Sequence, residues 1–156
     1  MHKPKEPRTK QQRLSLLLWF RLARFYNQSN RMSNEHVKPY DLTISQFDLL
    51  VQTQANQPIS QMDLAEKLLV TKGSITQMLA KLEQRDLIKK EQDWRIKRIS
   101  LTEKGELLMQ QARPDQSAFQ SSLFSSLTRD EQKQLNILLK KIQKGIESHT
   151  NQEDEQ

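Results

Sequence analysis

The 156 residues contain no cysteine, which excludes a disulfide framework, a thiolate zinc site and a cysteine-based redox switch, and fits a cytoplasmic protein. Glycine and proline are also scarce, at three and five residues. With so little punctuation, the chain should be mostly helical with one short sheet element. No apolar run is long: Leu14 to Phe20 is broken by Ser15 and followed by Arg21 and Arg24, whereas a bilayer span needs about 20 apolar residues. No membrane segment is expected, and no small-residue cleavage pattern follows that run to make it a signal peptide. The histidines, His2, His36 and His149, are scattered and argue against a metal switch. No nucleophile motif, glycine-rich phosphate loop, HxxxH pattern or carboxylate pair stands out, so no catalytic residue, metal ligand or cofactor site is assigned.

What is present is positive charge. A formal charge of +6 and a pI near 9.6 favour a polyanionic partner without choosing between nucleic acid and an anionic surface. The length suits a single domain, taken as residues 11–148. It is flanked by a basic stretch (1–10) and an acidic tail (149–156), both expected to be disordered because they have little to bury. An apolar content of 35% is low for a compact monomer and points to an elongated molecule.

Helix starts are marked by local chemistry. Thr43 precedes Gln46 by three residues, Ser60 precedes Asp63, and Thr128 precedes Glu131; each pair has the spacing of a capping box or a close variant. The first long segment, about Gln11 to Met32, is apolar on two sides, with Leu14, Leu18, Leu22 and Phe25 on one and Leu16, Trp19, Phe20 and Ala23 on the other. It should therefore be buried on two faces. The last helix, about Arg129 to Ser148, carries a stripe of Leu135, Leu138, Leu139, Ile142 and Ile146. Terminal helices of this kind are often core; an interface is favoured here because the middle of the chain offers only a small unit for them to cover. Between them, Thr102 to Ser126 reads as one helix kinked or broken at Pro114.

The informative stretch is residues 42–105. A helix opened by Thr43 turns Ile44, Phe47, Leu50 and Val51 inward. Ser60 then caps a short helix carrying Met62, Leu64, Ala65 and Leu68, and a tight break at Leu69-Val70 leads to Thr71. Thr71 is a natural N-cap for a helix whose inner face is Ile75, Met78, Leu79 and Leu82. Its outer face carries Gly73, Gln77, Ala80, Lys81 and Gln84, with Ser74 and Thr76 alongside. Small and short polar residues let a helix backbone approach a DNA groove, although a solvated face remains an alternative for the helix alone. Next, Leu87 to Glu91 alternates as a strand, Gln92 to Arg95 makes a turn, and Lys97 to Leu101 returns as a second strand with Ile99 and Leu101 inward. A helix pair followed by a basic hairpin is a winged helix-turn-helix, and the basic residues concentrate around it.

Three motifs in order resemble the MarR family: Asp63-Leu64-Ala65-Glu66-Lys67-Leu68 its second-helix signature, KGSITQMLAKL (Lys72 to Leu82) its recognition helix, and DWRIKRISLTEKG (Asp93 to Gly105) its wing. The resemblance implies a mainly α fold, with a winged-helix lobe at 42–105 and dimerisation helices at 11–38 and 106–148. It implies a dimeric, DNA-binding bacterial transcriptional regulator, a repressor relieved by a small molecule or another signal. In the DNA-binding set it gathers Gln61, Thr71, Lys72, Gly73, Ser74, Thr76, Gln77, Lys81, Asp93, Arg95 and Lys97. Gln61, Thr71, Ser74 and Thr76 would contact phosphates, and Gln77 would contact a base edge. Asp93 would fix Arg95 for entry into the minor groove. The chain departs from the family in a hairpin tip a few residues shorter than usual, with the gap placeable on either side of Asp93, and in Trp94 standing where arginine is common. Trp94 is expected to pack on the base of the hairpin. A ligand pocket beside the dimer helices would draw on Trp19, Phe20, His36, Tyr40 or Phe47, though core packing is the alternative for each. The rivals are an enzyme and a winged helix used only for protein contacts.

Overall fold

The computed structural model describes residues 9–153, with side chains from 9 to 148. The stretches expected to be disordered, 1–10 and 149–156, lie largely outside the described residues. Lys10, however, already belongs to the first helix, and the backbone of the last continues to Glu153. Six α-helices, a short 3-10 helix at Lys38–Tyr40 and three short strands are described: α1 Lys10–Val37, α2 Ile44–Asn56, β1 Ile59–Ser60, α3 Gln61–Leu68, α4 Lys72–Gln84, β2 Ile88–Asp93, β3 Ile96–Leu101, α5 Glu103–Ser122 and α6 Arg129–Glu153. The fold is mainly α, with one antiparallel sheet ordered β1-β3-β2. The chain divides into two compact units, parting between Ser117 and Ala118.

The local capping chemistry accounts for the helix boundaries. Thr43 and Gln46 exchange side chain-to-backbone hydrogen bonds at the start of α2, and Thr128 and Glu131 do the same ahead of α6. Ser60 accepts from the Asp63 N–H and donates to its carboxylate, opening α3. A further box, Thr9 with Gln12, starts α1. Each satisfies N–H groups that a first turn leaves without partners.

The core of the first unit is built from Leu49 and Leu50 of α2, Leu64 of α3, Ile75, Leu79 and Leu82 of α4, Ile88 and Ile99 of the sheet, and Met109 and Ala112 of α5. The α4 stripe thus faces inward as its spacing predicts, with Met78 half-buried. Ile59 and Ser60 pair with Ile99 and Arg98. That third strand is too short to show periodicity in the sequence.

The helix α5 runs through Pro114 without a break. One backbone donor is missing there, but flanking turns keep the helix in register. In α1, only Ser33 and Val37 are buried; Leu16 is half-buried, and the exposed large apolar residues range from 41% at Leu22 to 68% at Trp19, so burial on two faces is not achieved within one chain. The α6 stripe is similarly open from Leu138 onward, from 36% at Leu139 to 62% at Ile146, with Leu135 half-buried.

Candidate nucleic-acid interface

The turn between α3 and α4 is tight because Leu69 adopts the left-handed conformation (φ 53°), its N–H bonding back to Glu66 while the Val70 N–H reaches the Ala65 carbonyl. This is the bond pattern that closes a helix and is usually given to glycine. Thr71 then caps α4, its hydroxyl oxygen accepting from the Ser74 N–H at 3.2 Å. Buried Ile75, Leu79 and Leu82 fix the helix rotation. The opposite face, with Lys72, Gly73, Ser74, Thr76, Gln77, Ala80 and Lys81, is left exposed. A β-carbon on Gly73 would meet nothing within 4 Å, so no internal packing demands a glycine there.

The first turn of α3 and the second turn of α4 are joined by a side-chain bond. Gln61 donates from Nε2 to the Thr76 hydroxyl at 2.7 Å, and that hydroxyl donates to the Lys72 carbonyl at 2.8 Å. An open cleft of about 620 Å³ lies beside this pair, lined by Gln61, Met62, Ala65, Lys72, Ile75, Gln92, Arg95 and Lys97. It brings Gln61 and Lys72 of the helices together with Arg95 and Lys97 of the hairpin.

Charge pairing sorts the basic residues of this lobe. Lys89 pairs with Glu91, Lys90 with Glu83, Arg85 with Asp41 and Arg98 with Asp93, while Lys104 donates to the Arg85 carbonyl. Lys72, Lys81, Arg95 and Lys97 have no acidic group within 4.0 Å among the described residues. These four cations flank the exposed face of α4 and the hairpin, where an anionic partner would gain most from them.

The hairpin departs from the expected pairing. The strands run to an Asp93–Ile96 pair, leaving a loop of Trp94 and Arg95 in place of the expected turn from Gln92 to Arg95. Asp93 does not bind Arg95: its Oδ2 lies 3.5 Å from Nε of Arg98 on the adjoining strand. Closing the loop at Asp93 directs that carboxylate along the strands and away from the tip. Trp94 does not pack on the base of the hairpin either. It is 85% exposed, with the Arg95 guanidinium carbon 5.1 Å from its ring centroid.

The five residues proposed to line a ligand pocket are not brought together. Phe47 is core, at 3% exposure, because α2 turns it inward with Leu50. Trp19 and Phe20 lie on the open face of α1, and 16 residues of helix at about 1.5 Å each put about 24 Å between Phe20 and His36. His36 and Tyr40 do meet a common neighbour that the sequence did not signal, Asp115 of α5, whose Oδ1 lies 3.9 Å from Nε2 of His36. The Nδ1 atom of His36 lies 2.8 Å from Oε1 of fully buried Gln116, and the Tyr40 hydroxyl donates to Asp115 at 3.0 Å. That donation, followed by desolvation and the charge of the carboxylate, raises the Tyr40 phenol above its ordinary pKa. Spacings of 80 and 75 residues separate these partners in the chain, so no short motif could reveal them.

A sequence profile described as the MarR family matches residues 40–98, the span from the connection before α2 through the hairpin. An uncharacterized HTH-type transcriptional regulator from Bacillus cereus is 52% identical over 132 residues, covering 84% of this chain and 90% of the relative. Among solved structures, a mutant MarR from E. coli complexed with operator DNA matches with a TM-score of 0.75 and 27% identity, over 80% of this chain and 92% of its own. The S. aureus MepR–DNA complex matches with a TM-score of 0.76 and 25% identity, over 81% and 96%. The helix pair, the capped outer helix and the short basic hairpin are therefore those of a winged helix-turn-helix, and the chain belongs to the MarR family of transcriptional regulators.

Proposed function

We propose that the chain is a homodimeric, sequence-specific DNA-binding repressor whose two copies of α4 enter successive major grooves about 34 Å apart on a pseudo-palindromic operator. The observation that carries this reading is the exposed, small and polar face of α4, bordered by Lys72, Lys81, Arg95 and Lys97, which have no acidic partner among the described residues. Gln77 reads a base edge, Thr71 and Ser74 attend the phosphates together with Gln61, whose amide Thr76 holds in place, and Gly73 lets the backbone come close. Arg95 enters the minor groove, with Lys97 on the flanking phosphate and Asp93 bracing the hairpin through Arg98. The open apolar faces of the terminal helical segments, 11–38 and 106–148, supply the dimer contact, since surface of that size gains most when a second copy covers it.

Transcription is blocked by occupancy of the site, in the cytoplasm, and a small molecule or another signal relieves it by changing the spacing of the two reading heads. The role requires no catalytic step, metal or cofactor. Among the described residues, no helix is long and apolar enough to cross a membrane. The MarR and MepR complexes with DNA support the choice of partner.

Selecting duplexes from a random pool tests the reading. Enriched sites should be pseudo-palindromic, the chain should run as a dimer in size-exclusion chromatography with light scattering, and log affinity should fall linearly with log salt. A monomer that ignores duplexes at low ionic strength would overturn it.

A further inference from the structure

Arg95 carries the minor-groove contact of the proposed function, and the group that holds it is not a carboxylate. Asp93 is paired with Arg98 across the strands at 3.5 Å, and no other acid lies within 4.0 Å of Arg95 among the described residues. Its guanidinium carbon instead sits 5.1 Å from the Trp94 ring centroid, within the range at which an aromatic face attracts a cation.

Trp94 is in an unusual state for tryptophan. Its backbone is left-handed, with φ 53°, a region that bulky side chains seldom enter. Its carbonyl is held by Nε2 of Gln92 at 2.7 Å, and its ring is 85% exposed. A two-residue loop positive in φ at its first residue alone has the sign pattern of a type II′ turn, which ordinarily places glycine there. Neither burial nor turn preference accounts for an indole at this position. The cation above its face does.

We propose that Trp94 is the positioning residue of the wing: its indole face holds the Arg95 guanidinium at the hairpin tip, so that the wing meets an A·T-rich minor groove as a stacked Trp–Arg unit. The choice of partner has a chemical consequence. A carboxylate would cancel the arginine's charge and occupy two of its five N–H donors. An aromatic face orients the same group while leaving its charge and in-plane donors for the negative potential of a narrow groove. This inference rests on the DNA-binding reading and assigns the orientation of its minor-groove residue.

The test uses the full chain and a duplex selected by the wild type, prepared with A·T and with G·C flanks, against Trp94→Leu, Trp94→Phe, Arg95→Ala and the Trp94→Leu/Arg95→Ala double variant. Trp94→Leu should shrink the A·T-over-G·C affinity ratio about two- to fivefold, Trp94→Phe should retain most of it, and Trp94→Leu should cost nothing further once Arg95 is alanine. In the free protein, the Arg95 Nε–H resonance should lie upfield from the ring current and return to its ordinary position in Trp94→Leu. Backbone amide shifts of the two strands report whether the hairpin survives, and Trp94→Phe carries the test if Trp94→Leu loses it. An equal cost of Trp94→Leu with and without Arg95, an unchanged flank ratio, or the absence of the ring shift would overturn the assignment. A wild type that binds neither duplex would instead remove the DNA-binding reading, whereas one that binds both while Trp94→Leu keeps the ratio would remove only the positioning role.

Discussion

Gly105 and the Leu87 carbonyl lie so close together that a β-carbon on the glycine would stand 2.1 Å from the Leu87 oxygen. Two further bonds fix the crossing. The Thr102 N–H donates to the same carbonyl at 3.1 Å, and the Gly105 N–H donates to the Thr102 hydroxyl at 3.0 Å. The obstacle is backbone and cannot turn aside as a flexible side chain would. Gly105→Ala should therefore cost at least about 1–3 kcal/mol through overpacking, read as a lower denaturant midpoint with the slope unchanged. An unaltered midpoint would mean that the first turn of α5 can shift freely.

Gly73 should behave in the opposite way. With nothing within 4 Å of an added β-carbon, Gly73→Ala should leave stability unchanged or raise it by up to about 1 kcal/mol from helix propensity. Duplex affinity should nevertheless fall, because the methyl group would occupy the space left for the groove. Melting curves and binding isotherms of the same variant would separate these effects; undiminished binding would place the DNA away from this turn.

Gln77→Ala should relax preference at one base position by about 1–3 kcal/mol and leave the other positions alone. Affinities for a panel of single-position operator variants would show it. A uniform loss across the panel would mean that Gln77 serves a phosphate.

Glu106 ties three elements together. Its carboxylate accepts from Gln54 at 2.7 Å and from Gln57 at 2.8 Å, and Gln57 in turn accepts from the Leu101 N–H at 2.8 Å. Glu106→Ala should destabilise the fold by about 1–2 kcal/mol, with half-burial of the carboxylate limiting the loss. Glu106→Gln, which keeps one acceptor oxygen, should fall between the two. Equal stability of all three proteins in chemical denaturation would show that the amides repartner with water at no cost.

The parts of this fold that were legible in the sequence are those whose signals are local. Capping at Thr43, Ser60, Thr71 and Thr128 is decided within four residues, and the inward stripe of α4 within two or three turns, so helix positions and the exposed face could be read directly. The hairpin tip could not. The pairing of Asp93 with Arg98 depends on strand register, register depends on loop length, and Asp-Trp-Arg carries none of the usual marks of a two-residue loop. A break at Pro114 does not follow because the lost donor is one bond among the intact turns around it. The contacts of His36 and Tyr40 with Gln116 and Asp115 require the fold itself to bring distant segments together.

The bond between Gln61 and Thr76 determines which atom is left to reach outward. The threonine hydroxyl has a single hydrogen, already directed to the Lys72 carbonyl, and it receives one amide hydrogen of Gln61. A phosphate oxygen can only accept, so while those bonds stand the hydroxyl has nothing to offer it. The spare hydrogen of the pair is the second one on the Gln61 amide, which Thr76 holds at a fixed angle. In this corner of the helix pair, the recognition helix aims the contact and its neighbour makes it.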